Sequence, residues 1–419
     1  MNFTKSNEWL EKVKQMIPVG SQTYSKGYRY YPVGASPLAI DHGKGSHVWD
    51  LDGNEFVDWV CALGPITLGY HYPCVDNAVR QQLKKGAIFS LPSPLELELA
   101  EMIAEVTPVT GGRGMVRFLK TGTEACQAAI RAARAYTGKS LILSYSYHGW
   151  GSEFAVLTER KKGIPEEYAL SIQEFPYDDI VALENLLDEN KGNVAAVIME
   201  PVVINAPTIG YLQQVRELTR KHNIVLIFDE IVTGMRWGIP GASSYFHVIP
   251  DMILLGKGIA NGFPLSAICG NKNIMAEFEE IMVSSTFGGD CISLAAGIAT
   301  LTEMQKKGTI EHCWKMGKRL IEKLKDDVDI TGYSCHPKIN LMDESPEAKS
   351  LFIEYLISQG HLVVNSLALN ICYSHNEKDI DSLANAISWA SERLNAAIKG
   401  GFVETARRGQ LIQPAFRRL

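Results

Sequence analysis

A mainly parallel α/β sheet is the fold class this sequence predicts, and three observations point to it. Short, unbroken apolar runs recur between residues 116 and 270, and stretches of helical periodicity alternate with them. One such run, Ile224 to Phe228, ends abruptly on Asp229-Glu230. Another, Met252 to Leu255, ends on Gly256-Lys257-Gly258. Runs of this kind suit strands buried on both faces of a parallel sheet. Ligands of open α/β sheets bind at the carboxyl ends of the strands, so an acid and a lysine there are placed to meet over one pocket. Read singly, Asp229-Glu230 also fits a surface turn and Lys257 a solvated loop lysine. Together they suit a Schiff-base lysine beside an acid that keeps a pyridine nitrogen protonated, as in pyridoxal phosphate (PLP) chemistry.

Composition narrows the classes further. A chain of 419 residues is long for one hydrophobic core, so two lobes are expected. Hydrophobic residues at 46% and charged residues at 21% exclude a disordered or fibrous protein. With 41 basic against 47 acidic residues, nonspecific nucleic-acid binding is not expected. The eight cysteines are scattered without a CxxC pair, so they read as cytosolic thiols, and no metal site is expected. The charged start MNFTKSNEWLEKVKQ lacks the apolar core of a signal peptide, and no run approaches about 18 apolar residues. A cytoplasmic protein without a membrane span follows.

Taken in order, helical periodicity covers residues 6–17 and stops at Pro18. In the loop that follows, Lys26 and Arg29 stand among Tyr24, Tyr28, Tyr30 and Tyr31. Cations interleaved with aromatics suit either an anionic substrate group or a stacked surface loop. Residues 38–60 alternate apolar and polar around Asp52-Gly53, a hairpin signal. Residues 74–86 and 95–107 have helical periodicity. A strand from Val116 to Leu119 turns through Thr121-Gly122-Thr123 into an alanine-rich helix that ends at Gly138. Thr121 with Glu124 fits a capping box, and a helix start of this kind suits a phosphate as well as a plain cap.

A strand from Leu141 to Ser144 leads to Tyr147-His148-Gly149. An aromatic there can stack on a flat heterocycle or simply pack in the core. Residues 179–190 are helical, the strand Ala195 to Met199 ends on Glu200-Pro201, and 211–222 form a crossover helix. Val283 to Gly289 is a polar loop carrying Thr286, a candidate phosphate ligand, before a helix over 292–306. From about 310, helices surround short strands at Leu362 to Val364 and Ala368 to Ile371. SHNEKDIDSLANAI reads as a capped helix start, and the tail RRGQLIQPAFRRL as a partly ordered surface segment.

IFDEIVTGMR followed by GKGIANGFPLSAICG resembles the signature of class III, fold-type I PLP-dependent aminotransferases, in the branch containing glutamate-1-semialdehyde aminomutase. The likeness runs over nearly the whole chain. It implies a large domain with a mainly parallel seven-stranded sheet flanked by helices, and a smaller α+β domain from both chain ends. On this basis 1–65 contribute to the small domain, 66–305 form the PLP-binding domain, and 306–419 complete the small one. The resemblance implies that Lys257 carries the cofactor as a Schiff base and Asp229 pairs with the pyridine nitrogen. It assigns Gly122 and Thr123 to the phosphate and Tyr147 to the cofactor ring, with His148 in support. Glu200 would line the pocket, and Thr286 would serve the cofactor of the neighbouring subunit, which implies a homodimer with shared active sites.

One departure bears on substrate. The aminomutase has an SPVRA motif whose arginine takes the substrate carboxylate, whereas this chain reads TYSKGYRYYP there. Lys26 is the nearest positional match and Arg29 the nearest chemical one, with Glu200 and His148 as further substrate candidates. The expected activity is an aminotransferase that uses an amino donor such as glutamate and a small keto, aldehyde or keto-sugar acceptor. The alternative is intramolecular transfer of the aminomutase type. A P-loop or Rossmann nucleotide binder is excluded, because neither GxxxxGK[ST] nor GxGxxG follows a strand.

Overall fold

The computed structural model describes residues 1–413. The chain divides into two compact units, Met1–Tyr72 with the chain from Gly308 onward, and Pro73–Lys307. Three strands lie in the first segment: β1 (Ile40–Lys44), β2 (His47–Asp50) and β3 (Glu55–Asp58). Seven follow in the second unit: β4 (Met115–Leu119), β5 (Leu141–Tyr145), β6 (Ile172–Glu174), β7 (Val194–Met199), β8 (Val225–Asp229), β9 (Met252–Leu255) and β10 (Ser266–Gly270). The returning chain adds β11 (Asp329–Tyr333), β12 (His336–Asn340) and β13 (His361–Leu362).

The second unit is built on a seven-stranded sheet of order β4-β10-β9-β8-β7-β5-β6. Only β10 runs against its neighbours, so the sheet is mainly parallel. Every residue of β7, β8, β9 and β10 is buried, which is why these runs read as continuous rather than alternating. Successive side chains still go to opposite faces. Ala196, Ile198, Val225, Ile227 and Leu254 pack with Ala125, Ala128, Ala129 and Ala132 of the helix Gly122–Thr137. Val197, Met199, Leu226 and Phe228 pack on the other face with Tyr211, Leu212 and Val215 of the helix Tyr211–Lys221. This alternation places Asp229 on the same face as Val225 and Ile227, towards the alanine-rich helix. The small alanines let that helix lie close to the sheet, and its start therefore comes near the strand ends.

The first unit holds the sheet β1-β2-β3-β13 and the hairpin β11-β12. The hairpin expected around Asp52-Gly53 is β2 paired antiparallel with β3. Its core joins Phe56 and Trp59 to Phe352, Leu356, Leu383 and Ile387 of the helices Pro346–Ser358 and Glu377–Gly400. Asn376 caps the second of these helices through a box with Asp379, at the predicted start.

One expectation is corrected here. Ala368 to Ile371 form no strand, only an isolated bridge from Lys338 to Ala368. Leu367 is left-handed (φ 57°), and the segment then splits its backbone bonds. Leu369 N–H donates to Pro337 and Asn370 N–H to Trp59, so no single ladder forms. The tail is anchored as far as Gln413. Glu354 accepts the N–H groups of Arg408 and Gly409 at 2.8 and 3.0 Å, Ser350 Oγ accepts that of Ile412, and Ile412 is buried. The final arginines, Arg417 and Arg418, lie outside the described residues.

Replacing Glu354 by Ala strands the Arg408 and Gly409 amides and should lower stability by about 1–3 kcal/mol. Denaturant unfolding followed through the tryptophans of the first unit measures it, and an unchanged midpoint would show that Glu354 does not anchor the tail.

Candidate active site

Asp229 is the last residue of β8, and its register partner on β9 is Leu254. Lys257 follows the end of β9, so both side chains leave adjacent parallel strands at the same, carboxyl end of the sheet. Asp229 is buried and held from several sides. Its Oδ1 accepts Ile231 N–H at 3.1 Å, while Oδ2 lies 2.6 Å from His148 Nδ1 and 3.4 Å from Cys126 Sγ. His148 is fully buried, and its Nε2 lies 2.8 Å from the carbonyl of Tyr145. A carbonyl only accepts, so Nε2 carries its hydrogen. The contact between Nδ1 and Oδ2 then shares one hydrogen between the imidazole and the carboxyl group.

Lys257 is half-buried in a 3-10 turn at φ 34°, a left-handed value unusual for a lysine. Strain of this kind persists where the surroundings over-determine it, most often at functional sites. Burial pushes its ammonium below the ordinary range; Asp229 opposes that shift, and the nearby guanidinium of Arg236 adds to it. Lys257 is thereby a better free base near neutrality than a solvated lysine.

The helix Gly122–Thr137 starts beside this pair. Thr121 Oγ1 accepts Glu124 N–H at 3.2 Å, and the Glu124 carboxylate accepts Thr121 N–H at 2.8 Å, completing the expected capping box. The amides of Gly122 and Thr123 belong to the first turn, which a helix cannot satisfy itself, and they meet the positive end of its dipole. Two glycines keep this corner open. A Cβ on Gly122 would lie 2.6 Å from Ile231, and one on Gly149 (φ 94°) would lie 2.2 Å from Thr123 Oγ1. Thr123 Oγ1 accepts Trp150 N–H at 3.3 Å, which leaves its own hydrogen to donate. Open first-turn amides, a hydroxyl and a glycine-walled corner suit a phosphate, and a strand-end carboxylate with a depressed lysine suits a pyridine aldehyde. The donor set therefore fits PLP.

Tyr147 follows Ser146 (φ 79°) at the end of β5 and is partly exposed. Thr286 lies in an exposed turn, and the following Asp290 caps the helix Cys291–Lys307 and pairs with Lys120, next to Thr121. That pair ties the Thr286 turn to the phosphate corner. Lys26 and Arg29 are both exposed in the first unit, where Arg29 Nε donates to Tyr28 Oη at 3.3 Å.

Other side chains have different work from that expected. His148, a substrate candidate, is enclosed and serves Asp229 instead. Glu200, the other one, is buried and accepts the hydroxyl of Ser146. Glu230 points away from the Asp229 pocket and accepts the Thr233 hydroxyl and the N–H groups of Ala242 and Ser243, so it shapes a loop. Arg236 and Cys126 were not anticipated. An arginine set in GMRWG, among residues otherwise apolar or glycine, was the available sign of the first; nothing in the sequence marks the second.

The class-III aminotransferase family model matches residues 30–331. The 3-aminobutyryl-CoA aminotransferase of Cloacimonas acidaminovorans (strain Evry) is 34% identical over 92% of this chain and 96% of that protein. The glutamate-1-semialdehyde 2,1-aminomutase of Methanothrix thermoacetophila is 36% identical over 81% of this chain and 82% of its own. An omega-transaminase from Sphaerobacter thermophilus, 24% identical, superposes with a TM-score of 0.85, covering 94% of this chain and all of the other. The fold is thus the fold-type I PLP-dependent transferase fold, and the chain belongs to the class-III aminotransferase family.

Proposed function

We propose that this chain transfers an amino group from an external donor such as glutamate to a separate carbonyl acceptor, with Lys257 and Asp229 as its catalytic residues. The observation that carries the reading is their pairing at the ends of adjacent strands, one a depressed lysine and the other a carboxylate held by His148. When bound, PLP supplies an aldehyde that takes up the amino group and a ring that accepts electrons. Lys257 Nζ would hold the aldehyde and move the proton at the substrate carbon. Asp229 would keep the ring nitrogen protonated, and His148 would keep Asp229 correctly turned. The Gly122 and Thr123 amides with the Thr123 hydroxyl would hold the phosphate, and Tyr147 would lie against the ring.

Thr286 supports a homodimer in which one subunit completes the other's site, because its turn is exposed in its own subunit yet linked to the phosphate corner through Asp290 and Lys120. External transfer is favoured over the aminomutase reaction because an intramolecular exchange must retain its substrate between halves, and the SPVRA anchor is absent. Lys26 and Arg29 among tyrosines suit a larger or differently charged substrate, such as a keto-sugar. The relative named for 3-aminobutyryl-CoA lends support to net amino transfer; that particular substrate is not extended to this chain.

Mixing inactive Lys257→Ala subunits with weakly binding Thr286→Ala subunits, under conditions of exchange, should partly restore activity. One site of the mixed dimer then carries both defects and the other neither. No recovery despite demonstrated exchange would place Thr286 in its own subunit's site.

The choice of reaction is tested by single-turnover spectroscopy of the holoenzyme. Glutamate, or another donor in a panel, should convert the cofactor to its pyridoxamine form, and glutamate-1-semialdehyde should be a poor substrate. Efficient isomerisation of glutamate-1-semialdehyde, with no net transfer from any donor, would overturn the reading in favour of the aminomutase.

A further inference from the structure

A second cluster of reactive side chains lies in the first unit, outside the site described above. The sulfurs of Cys61 and Cys372 and a ring nitrogen of His375 all lie within 4.8 Å of one another. All three residues are buried, at 1%, 1% and 0% exposure. Cys61 and Cys372 form a small core of their own with Ile66. His375 is fixed from two directions: its ring stacks on Trp59 at 4.2 Å and 10°, and its Nδ1 accepts Cys372 N–H at 3.0 Å. That bond uses the Nδ1 lone pair, so Nε2 carries the ring hydrogen.

The two thiols are not equivalent. Cys61 Sγ faces the carbonyl oxygens of Asn370 at 3.2 Å and Asp58 at 3.5 Å, so it is a donor and carries its hydrogen. Cys372 has the opposite surroundings. Burial alone would push its thiol up, but the Cys61 thiol, the His375 imidazole and the Ser374 N–H outweigh burial and hold it well below the usual range. One sulfur is thus set up as an acceptor or thiolate, the other as a thiol beside it. Such an arrangement separates an attacking from a resolving cysteine. It suits zinc less well, because a zinc thiolate at Cys61 would face two carbonyl oxygens.

We propose that Cys61 and Cys372 are a redox-active pair that a small peroxide converts to a disulfide, with Cys372 as the attacking sulfur. With His375 held against it, the Cys372 sulfur attacks one peroxide oxygen as its own proton passes to the other. The O–O bond breaks, the departing hydroxide takes that proton and leaves as water, and Cys372 becomes a sulfenic acid after losing two electrons. The Cys61 thiol gives up its proton and attacks that sulfur, the S–O bond breaks, and a second water leaves. Two thiols and one peroxide thus yield one disulfide and two waters.

Bringing the sulfurs to a bond of about 2 Å requires local movement. The backbone at Cys61 is the place for it: Cys61, Ala62 and Leu63 have φ values of 47°, 55° and 73°, three consecutive left-handed residues with side chains. Relief of that strain lowers the cost of moving Cys61.

The test is peptide mapping of the holoenzyme after hydrogen peroxide, with alkylation under denaturing conditions. The intact mass should fall by two hydrogens, an unreduced digest should contain a Cys61–Cys372 peptide, and dithiothreitol should reverse both. Cys61→Ser should stop at a sulfenic acid on Cys372 that dimedone captures, whereas Cys372→Ser should give no adduct on Cys61. If a serine variant fails to fold, the wild-type peptide map decides alone. The proposal is overturned if both residues remain alkylatable after peroxide, if the only cross-links involve the half-buried Cys74, or if the purified protein holds one equivalent of zinc that is released together with both thiols.

Discussion

The contact between His148 Nδ1 and Asp229 Oδ2 is the interaction on which the site depends. A carboxylate buried beneath a sheet would ordinarily take up a proton, because burial penalises the charged form. Here the carbonyl of Tyr145 fixes the far nitrogen of His148 as a donor, and the near nitrogen shares one hydrogen with Asp229. The Ile231 amide and the Cys126 thiol supply two further donors. The carboxyl group is held by partners that lie just beyond β5, on the alanine-rich helix and just beyond its own strand.

That set of contacts explains much of the architecture. The alternation of β8 sends Asp229 to one face, and the face must be covered by a helix thin enough to come close. A row of alanines satisfies it, and a close helix delivers its start, with unsatisfied amides, to the same corner. β9 lies directly beside β8, so Lys257 reaches Asp229 without a long loop. The cost appears in the backbone, where Ser146 and Lys257 both adopt left-handed conformations next to the pocket. Such conformations are tolerated because the fully buried strands on either side leave the chain no alternative.

Much of this was legible in the sequence, for specific reasons. Strands buried on both faces announce themselves as unbroken apolar runs, so a charge at their ends stands out, as with Asp229 and Lys257. The Thr121–Glu124 capping box is local and therefore readable. What depends on the third dimension was not. The role of His148 is decided by a carbonyl three residues away and a carboxylate from another strand. Glu200 and Glu230 look like Asp229 in sequence, each closing an apolar run, yet Ser146 and the Ala242–Ser243 amides claim them. Ala368 to Ile371 have the composition of a strand, but their hydrogen bonds go to two different neighbours. Cys61 and Cys372 are far apart in the chain, and nothing in their local sequence pairs them.

The central claim is that Asp229 keeps the cofactor ring protonated and so makes it an effective electron sink. Single-turnover measurement of substrate proton abstraction by an Asp229→Asn variant with bound cofactor tests it most directly. The asparagine keeps the shape and the contact from Ile231 but carries no charge. The account predicts a folded, cofactor-binding protein whose proton-abstraction rate falls by about 100-fold or more, the scale on which one preorganised electrostatic contact acts. A near-normal rate in that variant would contradict it.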